Sequence, residues 1–215
     1  MGKPRLLNLR QSMELLEKHK IGLPAQGLAK TSKDAAETAK KLGFPVVLKI
    51  VSNATHKTDI GGVATNIGNE IEVKDEFEKM LKNAKEGNAG AIEGVLVQKQ
   101  LDGHELIIGG KKDPQFGKVI LVGLGGVMTE VFEDVQVRLV PIEPADAEDM
   151  LVSLKFFKVL KGLRNKKPAN IEAVKDILLK ASRLMEREKV VELDLNPVIV
   201  NEKEAIAVDA RALVE

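Results

Sequence analysis

The sequence of 215 residues contains no cysteine, no tryptophan and no tyrosine, and its charges are balanced. Without cysteine, the chain cannot form disulfides, zinc–thiolate sites or a thiolate nucleophile. Aromatic residues make up 3% of the chain, so the stacking platforms of single-strand nucleic-acid binders are almost absent. The 33 basic and 32 acidic residues nearly cancel, which argues against nucleic acid or a membrane surface as a partner.

Long hydrophobic runs are also missing. No segment approaches the length of a membrane span, and the charged start MGKPRLLNLRQSMELLEKHK lacks the apolar core of a signal peptide. We therefore expect a cytoplasmic protein. The apolar content of 44% suffices for a core, either in one domain of two lobes or in two small domains.

Helical and strand patterns are mixed along the chain without strict alternation. Helices are predicted at 8–20, 28–43, 70–86, 144–160 and 170–186, with Thr31 or Ser32 as the N-cap of the second. The strand-like segments include VVLKIV, VATNI, GVLVQKQL, HELIIGG, KVILVGLGGVMTEV, DVQVRLVPI, VELDLNPVIV and AIAVDAR. This order favours an α+β (mixed α/β) fold over a doubly wound Rossmann sheet.

Lys49 stands at the centre of an apolar run, 46–51, that predicts a strand buried on both faces. A charged amine in such a run is costly unless an anion meets it. Lys49 therefore either pairs with a carboxylate of the protein or contacts an anionic ligand. A polar loop follows, with His56 and then the pair Gly61 and Gly62.

The segment VELDLNPVIV alternates between apolar and polar residues, with Asp194 and Asn196 on its polar side. If 202–203 is a two-residue hairpin turn, Asn196 lies opposite Asp209 with Cβ atoms roughly 5 Å apart. These oxygen ligands suit Mg²⁺. The turn sequence Glu-Lys is not a favoured one, and a slip of one residue would separate the pair. Polar residues on a solvent-facing strand are the alternative.

Several motifs recur in one order: VVLKI, THKTDIGGV, GVLVQKQL, GHELIIGGKKDPQFG, VILVGLGGV, DVQVRLVPI and ELDLNPVIV…VDAR. Together they resemble the ATP-grasp β subunits of archaeal ADP-forming acetyl-CoA synthetases, in the NDP-forming acyl-CoA synthetase superfamily. The resemblance covers about residues 8–212. It implies an ATP-grasp fold with nucleotide between a smaller lobe, 22–98, and a larger lobe, 1–21 with 99–215.

For the smaller lobe, the resemblance assigns Lys49 to the α- and β-phosphates of ATP or ADP. It makes His56 a transient phosphohistidine that passes its phosphoryl group to ADP, for which a neutral imidazole is suited. A solvated loop histidine is the alternative. Gly61 and Gly62 would let the loop move and bring backbone N–H groups to phosphate, unless they form a plain hairpin turn.

The segment GVLVQKQL resembles the hinge of ATP-grasp proteins, where backbone groups hydrogen-bond adenine and apolar side chains sandwich it. The resemblance thus implies contacts from Val97, Gln98 and Leu101. Glu105 follows at the position that often meets the ribose hydroxyls. The alternative is an ordinary pair of strands.

Arg138 lies in the strand-like VQVRLV, where the resemblance implies a contact to the γ-phosphate. An ion pair with a nearby acid such as Glu130 is the alternative. Asn196 and Asp209 match the metal pair of the succinyl-CoA synthetase β subunit. Asp194 is either a third metal ligand or an acid next to the ligands that does not itself bind the metal. The resemblance therefore implies Mg²⁺ as the cofactor.

The resemblance also implies a partner, a CoA-binding α subunit in an α₂β₂ heterotetramer. Three rival functions share parts of the pattern: an ATP-grasp carboxylate–amine ligase, a nucleotide-sensing subunit and a scaffold for the α subunit. We interpret His19 and His104 as structural, and the basic loop 161–168 as a solvated surface or a docking surface for that subunit. Asn165 and Gly110 depart from the family pattern, in which glycine and a bulkier residue are commoner.

Overall fold

The computed structural model describes residues 4–52, 61–87, 90–125, 134–162 and 167–215. The chain divides into two compact units, the first comprising 1–23 and 102–215 and the second 24–101. The boundaries that the sequence predicted for the smaller lobe, 22 and 98, lie next to the observed ones.

Helices and antiparallel strands alternate irregularly, so the prediction of an α+β fold is confirmed. The strands are β1 (Arg5–Leu6), β2 (Gln26–Ala29), β3 (Val46–Ser52), β4 (Val63–Ile67), β5 (Ile92–Lys99), β6 (His104–Asp113), β7 (Gly117–Leu124), β8 (Val135–Leu139), β9 (Val190–Val200), β10 (Ala205–Ala207) and β11 (Arg211–Val214). The helices are α1 (Leu9–Lys18), α2 (Ser32–Leu42), α3 (Glu70–Glu86), α4 (Pro144–Val152), α5 (Phe157–Leu160) and α6 (Ile171–Arg187). None of these described helices combines the length and the apolar character that a membrane span requires.

The second unit is a four-stranded sheet in the order β2-β5-β3-β4, with α2 and α3 packed on one face. Its core brings Leu48 of β3 and Val97 of β5 against Phe77 and Met80 of α3, and all four are at most 1% exposed. Burial of side chains of this size contributes about 1.5–3 kcal/mol each, which fixes the face that β3 and β5 turn to the helices.

The predicted helix 28–43 starts later than expected, at Ser32. Residues 26–29 instead form β2, which pairs with β5, and tertiary pairing therefore overrides the local helical pattern. Thr31 is the N-cap, because its hydroxyl accepts from the N–H of Asp34 (3.1 Å). Gly43 ends the helix at φ +76°, a conformation that favours glycine.

The first unit is a seven-stranded sheet in the order β1-β11-β9-β6-β7-β8, with β10 paired to β9. Helix α6 packs against β6, β7 and β9, and α4 packs against β8. Gly110 of β6 lies beneath α6, where a Cβ atom would approach Cγ of Met185 to 2.7 Å. Met185 thus occupies the space that a bulkier residue at 110 would need, which accounts for this departure from the family pattern.

The prediction of one helix over 144–160 is wrong. Helix α4 ends at Val152 and α5 begins at Phe157. The buried carboxylate of Asp134 accepts hydrogen bonds from the N–H groups of Lys155 (3.0 Å) and Phe156 (2.9 Å). These N–H groups turn to a side chain that is distant in sequence, so the helix is interrupted there.

Candidate nucleotide and metal site

Lys49 lies in the middle of β3 and is 5% exposed. Its neighbours Leu48 and Ile50 are fully buried, so the predicted strand buried on both faces is confirmed. Leu48 and Ile50 face the core beneath α2 and α3, whereas Lys49 alternates to the other face of the sheet. There it lies opposite Leu96 of β5 and Val63 of β4. The sheet therefore directs the amine away from the helix-packed core.

Val97 and Gln98 lie on β5, the strand between β2 and β3. The side chain of Val97 is fully buried in the core beneath the helices, and the contact of this residue with adenine stays a prediction. Gln98 lies on the face of Lys49, is 1% exposed, and donates from Nε2 to Oε1 of Gln26 (2.7 Å). Leu101 follows the end of β5 and is half-buried.

Gly61 and Gly62 lead into β4. Gly61 has φ +63°, a left-handed conformation that favours glycine. The carbonyl of Gly62 accepts from the N–H of Ile50 (2.8 Å) and joins the loop end to β3. This geometry explains why two glycines precede the strand, while their phosphate contacts stay a prediction. His56 lies in the segment 53–60, outside the described residues.

The hairpin between β9 and β10 has the predicted register. Ala205 lies opposite Val200 and Ala207 opposite Val198, which leaves 202–203 as the turn. The turn sequence is supported by Asn201, whose Oδ1 accepts from the N–H groups of Lys203 (2.9 Å) and Glu204 (3.1 Å). Asparagine at the first position of a turn is the signal that could have strengthened the prediction.

The same register continues into β11, where Arg211 lies opposite Asp194. Both chains advance four residues between this pair and the pair of Ala207 with Val198, and residues 208–210 lie between β10 and β11. The N–H of Val208 donates to the carbonyl of Pro197 (3.1 Å), which keeps the two chains in register next to this interval. Asn196 and Asp209 both lie within the interval, and their place on one face stays a prediction.

Residues that lie opposite one another on neighbouring strands form a row across the sheet and point to the same face. Two consecutive rows show which face carries Asp194 and Arg211. Gly110, whose row faces α6, has Leu193 and Ile120 opposite it on β9 and β7. The next row contains Arg211, Asp194, Gly109, Leu121 and Val137, and it therefore lies on the face opposite the helices. We call this face, which carries Glu105, Asp194 and Arg211, the polar face.

The carboxylates of the polar face interact electrostatically. Burial raises the pKa of Asp194, the negative charge of Asp209 and that of Glu192 raise it further, and the positive charge of Arg211 opposes them. Oδ1 of Asp209 accepts from the N–H of Ala210 (2.8 Å). Two carboxylates that repel each other on one strand pair provide an electrostatic environment that favours a cation.

The donor set fits Mg²⁺. Asn196, Asp194 and Asp209 supply one amide and two carboxylates, and Mg²⁺ prefers oxygen ligands of this kind. Among residues 4–52, 61–87, 90–125, 134–162 and 167–215 there is no group of three or more histidine or acidic side chains placed to hold a metal. Water and phosphate oxygens would therefore complete the coordination, which is usual for Mg²⁺.

Arg138 does not lie on the polar face. It lies opposite Ile120 in the row that contains Gly110, and its guanidinium forms an ion pair with Asp149 of α4. Nη1 also donates to the carbonyl of Val137 (2.9 Å). The structure thus separates Arg138 from the candidate metal residues by the thickness of the sheet, which favours the ion-pair alternative. The partner is Asp149, and Glu130 lies outside the described residues.

Glu105 and Arg211 complete the polar face. Glu105 is exposed and alternates on β6 with Ile107 and Gly109. Arg211 is exposed and was not predicted as a site residue. The signal was present, because Arg211 follows Asp209 by two residues in VDAR.

Known proteins resemble this chain along nearly its whole length. Residues 2–214 match the ATP-grasp domain family. The β subunit of ADP-forming acetate–CoA ligase I from Pyrococcus furiosus is 39% identical over 207 residues, covering 94% of this chain and 89% of that subunit. The ADP-forming 4-hydroxybutyrate–CoA ligase of Nitrosopumilus maritimus is 43% identical over 205 residues, covering 94% of this chain and 29% of that protein. The chain thus spans about three-tenths of the length of such longer relatives.

Solved structures of acetyl-coenzyme A synthetase 1 from Ca. Korarchaeum cryptofilum match over 98% of this chain. One, with coenzyme A and Ca-AMPCP, has a TM-score of 0.92 and 41% identity, covering 94% of that chain. Another, with coenzyme A and Mg-AMPPCP, has its phosphohistidine segment pointing towards the nucleotide site (TM-score 0.84, 37% identity, 93% covered). The ATP-grasp match along nearly the whole chain and the 89% coverage of the Pyrococcus subunit show that the chain belongs to the ATP-grasp β subunits of ADP-forming acetate–CoA ligases.

Proposed function

We propose that the chain is the nucleotide-binding β subunit of an ADP-forming acyl-CoA synthetase. The overall reaction converts acyl-CoA, ADP and phosphate to acid, CoA and ATP. The observation that carries the proposal is the register of β9 with β10 and β11, which supports a metal site formed by Asn196, Asp209 and Asp194. This donor set occurs in a chain that covers 89% of a β subunit of the family.

In this proposal the nucleotide contacts are assigned residue by residue. Lys49 neutralises charge on the α- and β-phosphates, and its burial makes that interaction stronger than it would be in water. Gln98 and Leu101 lie near the end of β5 and contact the adenine, and Glu105 meets the ribose hydroxyls. Gly61 and Gly62 offer backbone N–H groups to phosphate. In this proposal the smaller lobe, 22–98, holds Lys49 and His56, and the larger lobe, 1–21 with 99–215, holds Glu105 and the metal residues.

The phosphoryl group reaches ADP through His56. A neutral imidazole nitrogen of His56 attacks the phosphorus of a phosphohistidine on the partner subunit, and one P–N bond forms as the other breaks. A terminal oxygen of the ADP β-phosphate then attacks the same phosphorus. The P–N bond to His56 breaks, a P–O bond forms, and His56 returns to its neutral state.

Asn196, Asp209 and Asp194 would hold Mg²⁺ in this proposal. When bound, the ion would neutralise charge on the phosphates during transfer. The residues of this chain fix the strand geometry, and burial of Asp194 keeps one carboxylate in a low-dielectric environment, where its attraction to a cation is strong.

The proposal requires a partner that binds CoA and carries the first phosphohistidine. The β subunits of Pyrococcus furiosus are named as subunits, and this chain covers 89% and 90% of their lengths. We therefore propose a CoA-binding α subunit as the partner, in an α₂β₂ heterotetramer.

The proposal is tested by phosphoryl labelling. The chain is incubated with γ-phosphate-labelled Mg·ATP, alone and with a candidate α subunit, and acid-labile, base-stable label is measured. We expect label on the wild-type chain and none on His56→Asn. His19→Asn is the matched control, because His19 contacts Glu188 (2.9 Å) at the end of α6 and has no part in the transfer.

Label on His56→Asn equal to wild type would overturn the role of His56. Complete absence of label, with and without the α subunit while Mg·ATP still binds, would exclude a phosphohistidine and favour a nucleotide-sensing subunit. Full ligase activity in His56→Asn would instead favour an ATP-grasp carboxylate–amine ligase.

A further inference from the structure

Arg211 is a cation on the polar face that the sequence analysis did not use. It lies opposite Asp194 on β11 and two residues beyond Asp209. Its side chain is exposed and interacts electrostatically with Asp194, and among the described residues its guanidinium has no hydrogen-bond partner. Arg138, by contrast, is committed to Asp149 on the opposite side of the sheet. The two arginines therefore differ both in the face they occupy and in their freedom to meet a ligand.

The charges of the polar face create a need for such a cation. Asp194, Asp209 and Glu192 place negative charge on neighbouring positions, and the phosphate chain of a nucleotide is itself strongly negative. One divalent cation offsets only part of the repulsion between these carboxylates and the phosphate chain. Arg211 supplies positive charge on the same strand pair, about 7 Å along the strand from Asp209.

The guanidinium group suits phosphate for geometric reasons. Its planar fork of N–H donors matches two phosphate oxygens at once, and it stays charged at every physiological pH. Because its side chain is long and exposed, Arg211 can reach phosphates bound next to Asn196 and Asp209 without rearrangement of the sheet.

We propose that Arg211 is the arginine of the first unit that binds the phosphate chain of the nucleotide, the role that the sequence had assigned to Arg138. The proposal rests on the nucleotide-binding function proposed above. Arg211 contacts substrate, whereas Arg138 holds β8 to α4.

Equilibrium binding to the complete chain tests the proposal. The ligands are Mg·AMPPCP and Mg·ADP, which carry several phosphates, and AMP, which carries one. The variants are Arg211→Gln, Arg211→Lys and the matched control Arg138→Gln. Removal of a charge-assisted hydrogen bond should weaken Mg·AMPPCP binding about 10-fold or more in Arg211→Gln.

We expect AMP affinity to change less than about 2-fold in Arg211→Gln, because a single phosphate near the ribose does not depend on this contact. Arg211→Lys should fall between wild type and Arg211→Gln, since lysine keeps the charge but loses the bidentate fork. Arg138→Gln should bind all three ligands as wild type does. Unfolding temperatures measured on each variant confirm that the fold is retained.

Wild-type affinity for Mg·AMPPCP in Arg211→Gln would overturn the proposal. Equal losses of AMP and Mg·AMPPCP would also overturn it, because they would indicate general damage to the site. A loss in Arg138→Gln as large as that in Arg211→Gln would return the role to Arg138. If wild type bound none of the nucleotides, the proposed function would fail together with this inference.

Discussion

Gly110→Ala should show a stability effect whose sign depends on Met185. A Cβ atom at 110 would lie 2.7 Å from Cγ and 2.8 Å from Sδ of Met185, closer than van der Waals contact allows. Met185 is fully buried, so it cannot swing into solvent, and overpacking of this kind costs about 1–3 kcal/mol. Alanine in a strand is itself about 0.5–1 kcal/mol more favourable than glycine. The net effect in the wild-type background is a loss of roughly 0–2.5 kcal/mol.

The double-mutant cycle separates the two contributions. Met185→Ala alone should cost about 2–5 kcal/mol, because it leaves a cavity beneath α6. In that background Gly110→Ala no longer meets the sulfur and should stabilise the chain by about 0.5–1 kcal/mol. Thermal unfolding followed by circular dichroism resolves these differences in stability, since 1 kcal/mol shifts the unfolding temperature by about 2–4 °C in a domain of this size.

Gly68→Ala is the matched control for this cycle. A Cβ at 68 would meet only Oε2 of Glu72, at 3.5 Å, which is an ordinary contact. It should therefore change stability by less than about 1 kcal/mol in either background. The reasoning would be refuted if Gly110→Ala had the same effect with and without Met185, because the two side chains would then not be coupled.

Two further predictions concern the polar strands. Asp194→Asn should raise the unfolding temperature of the metal-free chain at pH 7 and weaken Mg²⁺-dependent nucleotide binding. Burial and the charge of Asp209 raise the pKa of Asp194 in the folded state. The stability that Asp194 contributes is therefore fully present below its unfolded pKa, where the carboxyl is protonated. It is lost as the pH rises through the folded pKa. Scanning fluorimetry in the presence of a chelator, between pH 7 and pH 4, measures the unfolding temperatures of Asp194→Asn and wild type. The difference between the two temperatures should shrink towards low pH. An unfolding temperature of Asp194→Asn below that of wild type at pH 7 would contradict this prediction. Asn201→Ala should cost about 1–2 kcal/mol because two N–H groups of the turn lose their acceptor, whereas Asn201→Asp, which keeps the oxygen, should cost less in the same denaturation assay.

The hairpin around the predicted metal pair could be anticipated because its geometry is local. The turn at 202–203 fixes the register of β9 with β10 without reference to the rest of the chain. The same holds for Lys49, whose strand is recognised from its own apolar run. The faces could not be assigned from the alternation of VELDLNPVIV alone, because the pairing of β9 with β6 shifts register between Leu106 and Ile108.

The place of Arg138 could not be predicted in the same way. The alternation VQVRL gives the period of β8 but not which set of residues meets the core. The apolar residues Val137 and Leu139 are 45% and 58% exposed, while Arg138 turns towards α4. A helix with Asp149 at the facing position decides this orientation, and that helix follows β8 only after the turn at 140–143. The interruption of the predicted helix 144–160 has a similar cause, because the deciding carboxylate is that of Asp134.

The type of a residue indicates the chemistry it can perform, whereas its position in a strand decides which face of the sheet it occupies. An arginine in a family motif indicates phosphate chemistry, and both Arg138 and Arg211 satisfy that description in the sequence. Only the register assigns them to opposite faces, Arg138 with Gly110 beneath α6 and Arg211 with Asp194. A phosphate chain bound as we propose would meet the face that carries Arg211 and Asp194, and not the face that carries Arg138. The position of a side chain within the sheet therefore carries more weight for its role than the motif in which it occurs.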